Sequence, residues 1–414
     1  MSILPGMYRI RQHLDAEQVT DLAGAVGLAL ADGSVADRIR PGMKVALTAG
    51  SRGIDRIAEV LRLIADWVRR RGASPFLVPA MGSHGGGTPG GPVQLLAALG
   101  ITEDTVGAPV ASDPRTLVLG QAKGLPVHCS RAAAEADGIV VVNRIKPHTS
   151  CSGQYESGLV KMLAVGLGGR EGAACIHKHG VDAIAQILPE MARVVLREAP
   201  VLAGVALLEN GVDRLKRIEG IPADRILDRE PGLLEEARGL CPMLPFEEAD
   251  VLVVDYLGKD LSGTGMDTHV IGRLFIAGEP EPERPRIKRI AVLRISPGSG
   301  GNAYGVGLAD VTTRAVVHAI DPMTTHANAL ASTFVERVRV PMSLPSDREA
   351  IDAAVSTCNH PDLSTIKLGR IRDTRHVEEL HVSESLLNGL SKPVEILEGP
   401  VDWAFDEEGN LSLA

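Results

Sequence analysis

The chain has 414 residues, with 52 acidic side chains against 43 basic ones, a net charge of -9 and only 3% aromatic residues. That balance argues against a phosphate-backbone partner, and the scarcity of rings leaves no stacking platform for single strands, so nucleic acid is not expected. The length exceeds what one hydrophobic core usually organises, and two domains with a cleft between them are the expectation. The five cysteines, Cys129, Cys151, Cys175, Cys241 and Cys358, are well separated and never form a CxxC pair, so neither a disulfide framework nor a zinc knuckle is indicated. The opening MSILPGMYRIRQHLDAE lacks the apolar core of a signal peptide. No apolar run approaches the roughly 20 residues that span a bilayer, so a cytoplasmic protein with no membrane partner is expected.

Short β-branched runs alternate with helical stretches. Val45-Ala46-Leu47-Thr48 precedes a helix-like stretch from Ile54 to Arg71; Pro75-Phe76-Leu77-Val78 precedes Val93 to Leu99; Gly138-Ile139-Val140-Val141-Val142 precedes a segment around Lys161. Further strand-like runs occupy Gly204 to Leu208, Val251 to Val254 and Ile290 to Leu293. Strand and helix in alternation, with strands nearly continuous in apolar character, predict two α/β domains with largely parallel sheets covered on both faces. The prolines of Cys241-Pro242-Met243-Leu244-Pro245 place a boundary near residue 245, giving domains over 1–245 and 246–395, with a tail over 396–414 that packs back on the first domain. The proline-rich Gly278 to Pro285 reads as an exposed loop.

Three strands of the first half end in residues able to do chemistry. Thr48 leads to Ser51-Arg52-Gly53, Val78 leads to Gly82-Ser83-His84-Gly85-Gly86-Gly87, and Val142 leads to Asn143-Arg144-Ile145-Lys146-Pro147-His148. In parallel α/β sheets ligands bind beyond the carboxyl ends of the strands, so Arg52, His84 and His148 are expected to share a crevice. The loop after His84, with Pro92 opening a helix, suits an anion through free backbone N–H groups, Gly85 and Gly86 among them, or is a flexible surface connection with an incidental histidine. Arg52 offers a forked guanidinium for a carboxylate or phosphate, or, taken alone, is a surface ion-pair partner. Past Val251 to Val254, the charged stretch containing Lys259, Asp260 and Asp267 reads as the second wall of the cleft, or as an ordinary polar connection with capping residues.

Lys161 stands in the apolar run Leu159-Val160-Lys161-Met162-Leu163-Ala164-Val165, with His177 and His179 close behind. An ammonium in such a run extends to water, shifts its pKa, or loses its charge in a covalent bond.

Taken together, SRG at 51–53, GSHGGGTPGG at 82–91, VVVNRIKPHT at 140–149, ESGLVKM at 156–162 and the trailing His177 resemble the lactate racemase family, and the likeness spans most of the chain. The resemblance implies a nickel-pincer nucleotide (nickel pyridinium-3,5-bisthiocarboxylic acid mononucleotide) joined to Lys161 through a thioamide. His177, sixteen residues later, matches the nickel ligand. Ser51, Gly85 and Gly86 would line the cofactor. His84 and His148 match the two catalytic histidines and Arg52 the substrate-orienting arginine, while Lys259, Asp260 and Asp267 are the nearest counterparts of the family's second-domain substrate residues.

The implied reaction is racemisation or epimerisation of a 2-hydroxy acid, lactate-like or a sugar acid. One histidine takes the hydroxyl proton while hydride passes to the cofactor, leaving a planar 2-keto acid. Enzymes of cofactor biosynthesis are the implied partners. The chain departs from the family in having Gly53 where a proline usually follows the arginine, and in a longer step from His148 to Lys161. Two alternatives stand beside this reading: a divalent-metal hydrolase or lyase using His84, His148 and His177 directly, and a non-catalytic homologue that binds the nucleotide.

Overall fold

The computed structural model describes residues 4–31, 33–84, 90–177 and 180–413. Its strands, in chain order, begin with β1 (Met7–Gln12), β2 (Lys44–Ala49) and β3 (Ser74–Pro79), then a hairpin of β4 (Thr116–Ala122) and β5 (Leu125–Ser130), then β6 (Gly138–Arg144), β7 (Val201–Glu209) and β8 (Leu215–Pro222). β3, β2, β6, β7 and β8 lie side by side in that order. All neighbours are parallel except β8, which runs antiparallel to β7.

The apolar character of these strands is explained by burial on both faces. Val45, Leu47, Val140, Val142, Val205 and Leu207 pack in one core, and the intervening Ala46, Ile139, Val141, Ala206 and Leu208 pack in another. The crossover from β2 to β3 is the helix Ile57–Arg70, whose Ile57, Val60, Leu61, Ile64 and Val68 recur at helical spacing and are buried. Glu59, Arg62, Asp66 and Arg69 take the solvent side and pair with one another.

The later strands are β9 (Glu248–Leu257), β10 (Arg286–Ile295), β11 (Val311–Thr313), β12 (Met342–Leu344), β13 (Leu368–Ile371), β14 (Glu379–Ser383) and β15 (Val394–Val401). They join β1 in a second sheet of order β12-β11-β10-β9-β13-β14-β1-β15. The first five are parallel and the last three antiparallel. Here too the faces alternate, with Val251 and Val253 in one core and Leu252 and Val254 in the other. The protein is α/β with largely parallel sheets.

The chain divides into a unit of Asp15–Cys241 and a unit of Met1–Leu14 with Pro242–Ala414. This differs from the sequence reading in two respects. Residues 1–14 leave the first domain because β1 is a strand of the second sheet, held between β14 and β15. The tail likewise packs on the second unit, where β15 pairs with β1 and the Trp403 indole N–H donates to the Pro5 carbonyl at 3.0 Å. An amino-terminal strand that pairs only with the far end of the chain leaves no local signal of its allegiance.

Candidate functional site

Within the unit Asp15–Cys241, the carboxyl ends of β2, β3 and β6 deliver the polar residues, and the lysine-bearing turn packs among them. Leu159–Lys161 forms one short helical turn that runs directly into a π turn, Met162–Gly166. Single π turns are frequent at functional sites because the extra residue re-aims its neighbours. Two glycines let the loop after β3 approach this turn closely. Gly82 has φ of 60° and donates its N–H to the Gly166 carbonyl at 3.3 Å. A Cβ on Gly166 would stand 2.4 Å from Met162 Sδ and 2.9 Å from the Ala80 carbonyl oxygen.

The turn is fixed from two further directions. Asn143, near the end of β6, donates its side-chain N–H to the Gly158 carbonyl at 2.8 Å. Glu230, on the helix Ile226–Leu240, accepts the Val160 N–H at 2.8 Å. Glu230 is almost wholly buried, and its Oε1 has no hydrogen-bond partner among the described residues. Burial pushes its carboxyl up to about 7, against which the Val160 and Leu159 N–H groups act.

Lys161 itself is half-buried. Burial lowers its amine to about 8, opposed by Cys151 and Glu156 and reinforced by the charges of Arg52 and Lys146. No hydrogen bond or ion pair reaches the ammonium from the described residues. Of the three courses open to a lysine in an apolar run, the structure shows a depressed pKa.

His148 sits on a tight hairpin closed by paired backbone contacts between Lys146 and Ser157. Its backbone N–H donates to Glu156 Oε2 at 2.6 Å, while Glu156 Oε1 accepts from Gly153 N–H at 3.0 Å and from Arg238 at 2.7 Å. The imidazole Nδ1 accepts the Ser150 N–H at 3.1 Å and lies 3.2 Å from Cys151 Sγ. Burial pushes the Cys151 thiol up to about 11, so the sulfur keeps its proton at neutral pH.

Ser51 and His84 meet: Ser51 Oγ is 2.5 Å from His84 Nδ1. Ser51 Oγ and the His84 ring are thus in hydrogen-bond contact. Arg52 reaches solvent and has no carboxylate partner among the described residues. Partial burial and the charge of Arg144 both lower its pKa. Arg144 is itself paired with Glu209, which also accepts the Asp55 N–H at 2.7 Å.

Ser51, Arg52, His84, His148 and Lys161 are thus linked in one unit. The Ser51–His84 contact adjoins Arg52, and the charge of Arg52 bears on Lys161. Lys161 is in turn in electrostatic reach of Cys151, which touches His148. Gly85, Gly86 and the His177 side chain lie outside the described residues. Among those described, no group of three or more His, Cys, Asp or Glu side chains could hold a metal ion.

Lys259, Asp260 and Asp267 belong to the other unit and each has a local partner. Lys259 donates to the Gly263 carbonyl at 2.5 Å and lies 4.9 Å from the centre of the Tyr304 ring. Asp260 accepts from Ser296 Oγ at 2.7 Å. Asp267 caps the helix Thr268–Ile271 by accepting the His269 N–H at 3.0 Å.

Two carboxylates that shape the site, Glu156 and Glu230, carry little sign of that role in the sequence. Glu230 had a signal: it interrupts the buried stripe Ile226, Leu233, Leu234 and Ala237 at helical spacing. Glu156 had only its place in the ESGLVKM run.

No model of a known family matches the chain. No curated protein matches it either. Among solved structures, the lactate racemase apoprotein from Thermoanaerobacterium thermosaccharolyticum superposes with a TM-score of 0.54, at 14% identity, over 89% of this chain and 94% of that one. The two share a fold.

Proposed function

We propose that the protein is a racemase or epimerase of a 2-hydroxy acid whose cofactor, a nickel-pincer nucleotide, is tethered to Lys161. The observation that carries this reading is the state of Lys161: a half-buried amine with its pKa lowered to about 8 and no ion-pair partner among the described residues. Such an amine is partly unprotonated at neutral pH and therefore nucleophilic, and acylation would remove the charge that burial penalises. The residues fit the group in this respect. Lys161 would hold it by an amide-type bond, and His177 follows at the family's position for the nickel ligand. When bound, the cofactor supplies a hydride acceptor.

The chain's own residues supply the rest. Arg52, with no carboxylate partner, is suited to the substrate's carboxylate through two parallel N–H donors. His84 and His148 supply imidazoles for the hydroxyl group that must lose and regain a proton. The fold likeness to a lactate racemase apoprotein supports the same reaction class. Lys259, Asp260 and Asp267 are proposed on the resemblance alone as substrate-binding residues. The cofactor's biosynthetic enzymes and a cytoplasmic location belong to the same reading.

The test is a screen of single-enantiomer 2-hydroxy acids and sugar acids in deuterated water, using protein co-produced with the cofactor's biosynthetic enzymes. At least one substrate should be epimerised by the wild type and by none of the Lys161→Ala protein. Activity that survives Lys161→Ala would contradict the reading.

A further inference from the structure

The helix Ile226–Leu240 grips the stretch that carries Lys161 along one of its faces. Leu227, Glu230, Leu234 and Arg238 recur at helical spacing and so share a side of that helix. Arg238 donates to Glu156 Oε1 at 2.7 Å and to the Gly153 carbonyl at 3.1 Å. Glu230 Oε2 accepts the Val160 N–H at 2.8 Å, and the Tyr155 hydroxyl donates to the Leu227 carbonyl at 2.8 Å.

Two of these contacts depend on residues unusual for their positions. In an α-helix the carbonyl of residue 227 pairs with the N–H of residue 231, but Pro231 has no N–H to give. The Leu227 carbonyl is therefore open to another donor, and the buried Tyr155 supplies it. At the start of the lysine turn the capping position is Gly158, which has no side chain with which to cap. Glu230 caps the turn from the neighbouring helix instead, and a Cβ on Gly158 would stand 2.2 Å from Glu230 Oε1. Glu230 and Pro231, adjacent in sequence, thus serve one end. The first caps the turn, and the second frees the carbonyl that anchors Tyr155. A single turn such as Leu159–Lys161 is too short to keep its shape alone, so these outside contacts decide where Lys161 sits.

We propose that Tyr155 and Glu230 are positioning residues that hold Lys161 in its buried place, Tyr155 through the carbonyl that Pro231 leaves open and Glu230 as the cap of the lysine turn. The role rests on the reading of Lys161 as the cofactor's tether. Both residues act through the place of the lysine. The principal charges acting on the amine are those of Cys151, Arg52, Glu156 and Lys146, so a change at Tyr155 or Glu230 reaches it through position.

The amine is read on cofactor-free protein, by reductive methylation at a series of pH values followed by peptide mass spectrometry. Burial is the main cause of its lowered pKa, so a slackened turn lets the ammonium reach water and moves the midpoint from about 8 toward the ordinary value of about 10.4. Tyr155→Phe and Glu230→Ala should both show this rise. Glu230→Gln, whose amide oxygen still accepts the Val160 N–H, should keep the wild-type midpoint. An unchanged midpoint in Tyr155→Phe or Glu230→Ala, or a rise in Glu230→Gln equal to that in Glu230→Ala, overturns the proposal. Adding Pro231→Ala to Tyr155→Phe returns an N–H to the Leu227 carbonyl, and should recover thermal stability while the Lys161 midpoint stays high. A midpoint restored together with stability overturns the positioning role of Tyr155, because satisfying the carbonyl would then be all that it does.

On the active holoenzyme, Tyr155→Phe should lower kcat about tenfold or more and keep KM within about twofold, since Arg52 is untouched. A raised KM with kcat kept overturns the proposal. Midpoints as expected, with no adduct and no turnover in the wild type, would instead count against the tether reading alone.

Discussion

Lys161 is where local chemistry departs most from an ordinary surface residue. Its amine titrates near 8 because burial disfavours the ammonium and neither Arg52 nor Lys146 relieves it. Reductive methylation followed by peptide mass spectrometry should give Lys161 a modification midpoint near pH 8, well below the ordinary lysine value of about 10.4. A midpoint at the ordinary value would remove the basis for its nucleophilicity. The oddity of this lysine was legible, since a single charge in a seven-residue apolar run requires some device. The device was not legible: the lowered pKa comes first from burial under elements distant in sequence, with smaller contributions from Arg52 and Lys146, and no local pattern encodes that packing. Ser51 illustrates the same limit, because its contact with His84 comes from loops after two different strands.

At the scale of elements, the lysine turn owes its position to the helix Ile226–Leu240. Glu230 reaches from that helix to the Val160 N–H, and its carboxyl is raised to about 7 by burial. The folded state therefore holds a proton that the unfolded chain releases near pH 4.3, so this contribution is complete below that value and is lost as pH rises through 7. The loss is on the order of 3–4 kcal/mol. Urea midpoints of the wild type should fall across this window relative to those of Glu230→Gln, which keeps an acceptor for Val160 N–H without titrating. Parallel pH profiles for the two proteins would show that Glu230 is already ionised in the fold. Strands β2, β3, β6, β7, β9 and β10 were legible as apolar runs because both faces of each sheet are covered. The hairpin β4–β5 was not: Val118 is exposed and glycine and proline interrupt its pattern, so neither period stands out.

At the scale of the whole molecule, the chain's two ends build one sheet, with β1 lying between β14 and β15. Deleting residues 394–413 removes β15, the Trp403 contact with Pro5 and the stacked pair Trp403–Phe405. Limited proteolysis of the truncated protein should open the unit of residues 4–14 and 242–393 at lower temperature than in the full chain, while fragments from 15–241 keep their resistance. Equal loss of resistance in both units would show that the tail supports more than its own sheet.

The central claim, that Lys161 is a covalent tether, is tested most directly by intact-mass measurement after co-production with the cofactor's biosynthetic enzymes. The account predicts a mass increase matching the pincer nucleotide in the wild type and its absence in Lys161→Ala. An unmodified wild-type mass under those conditions, or an adduct that persists in Lys161→Ala, would contradict it.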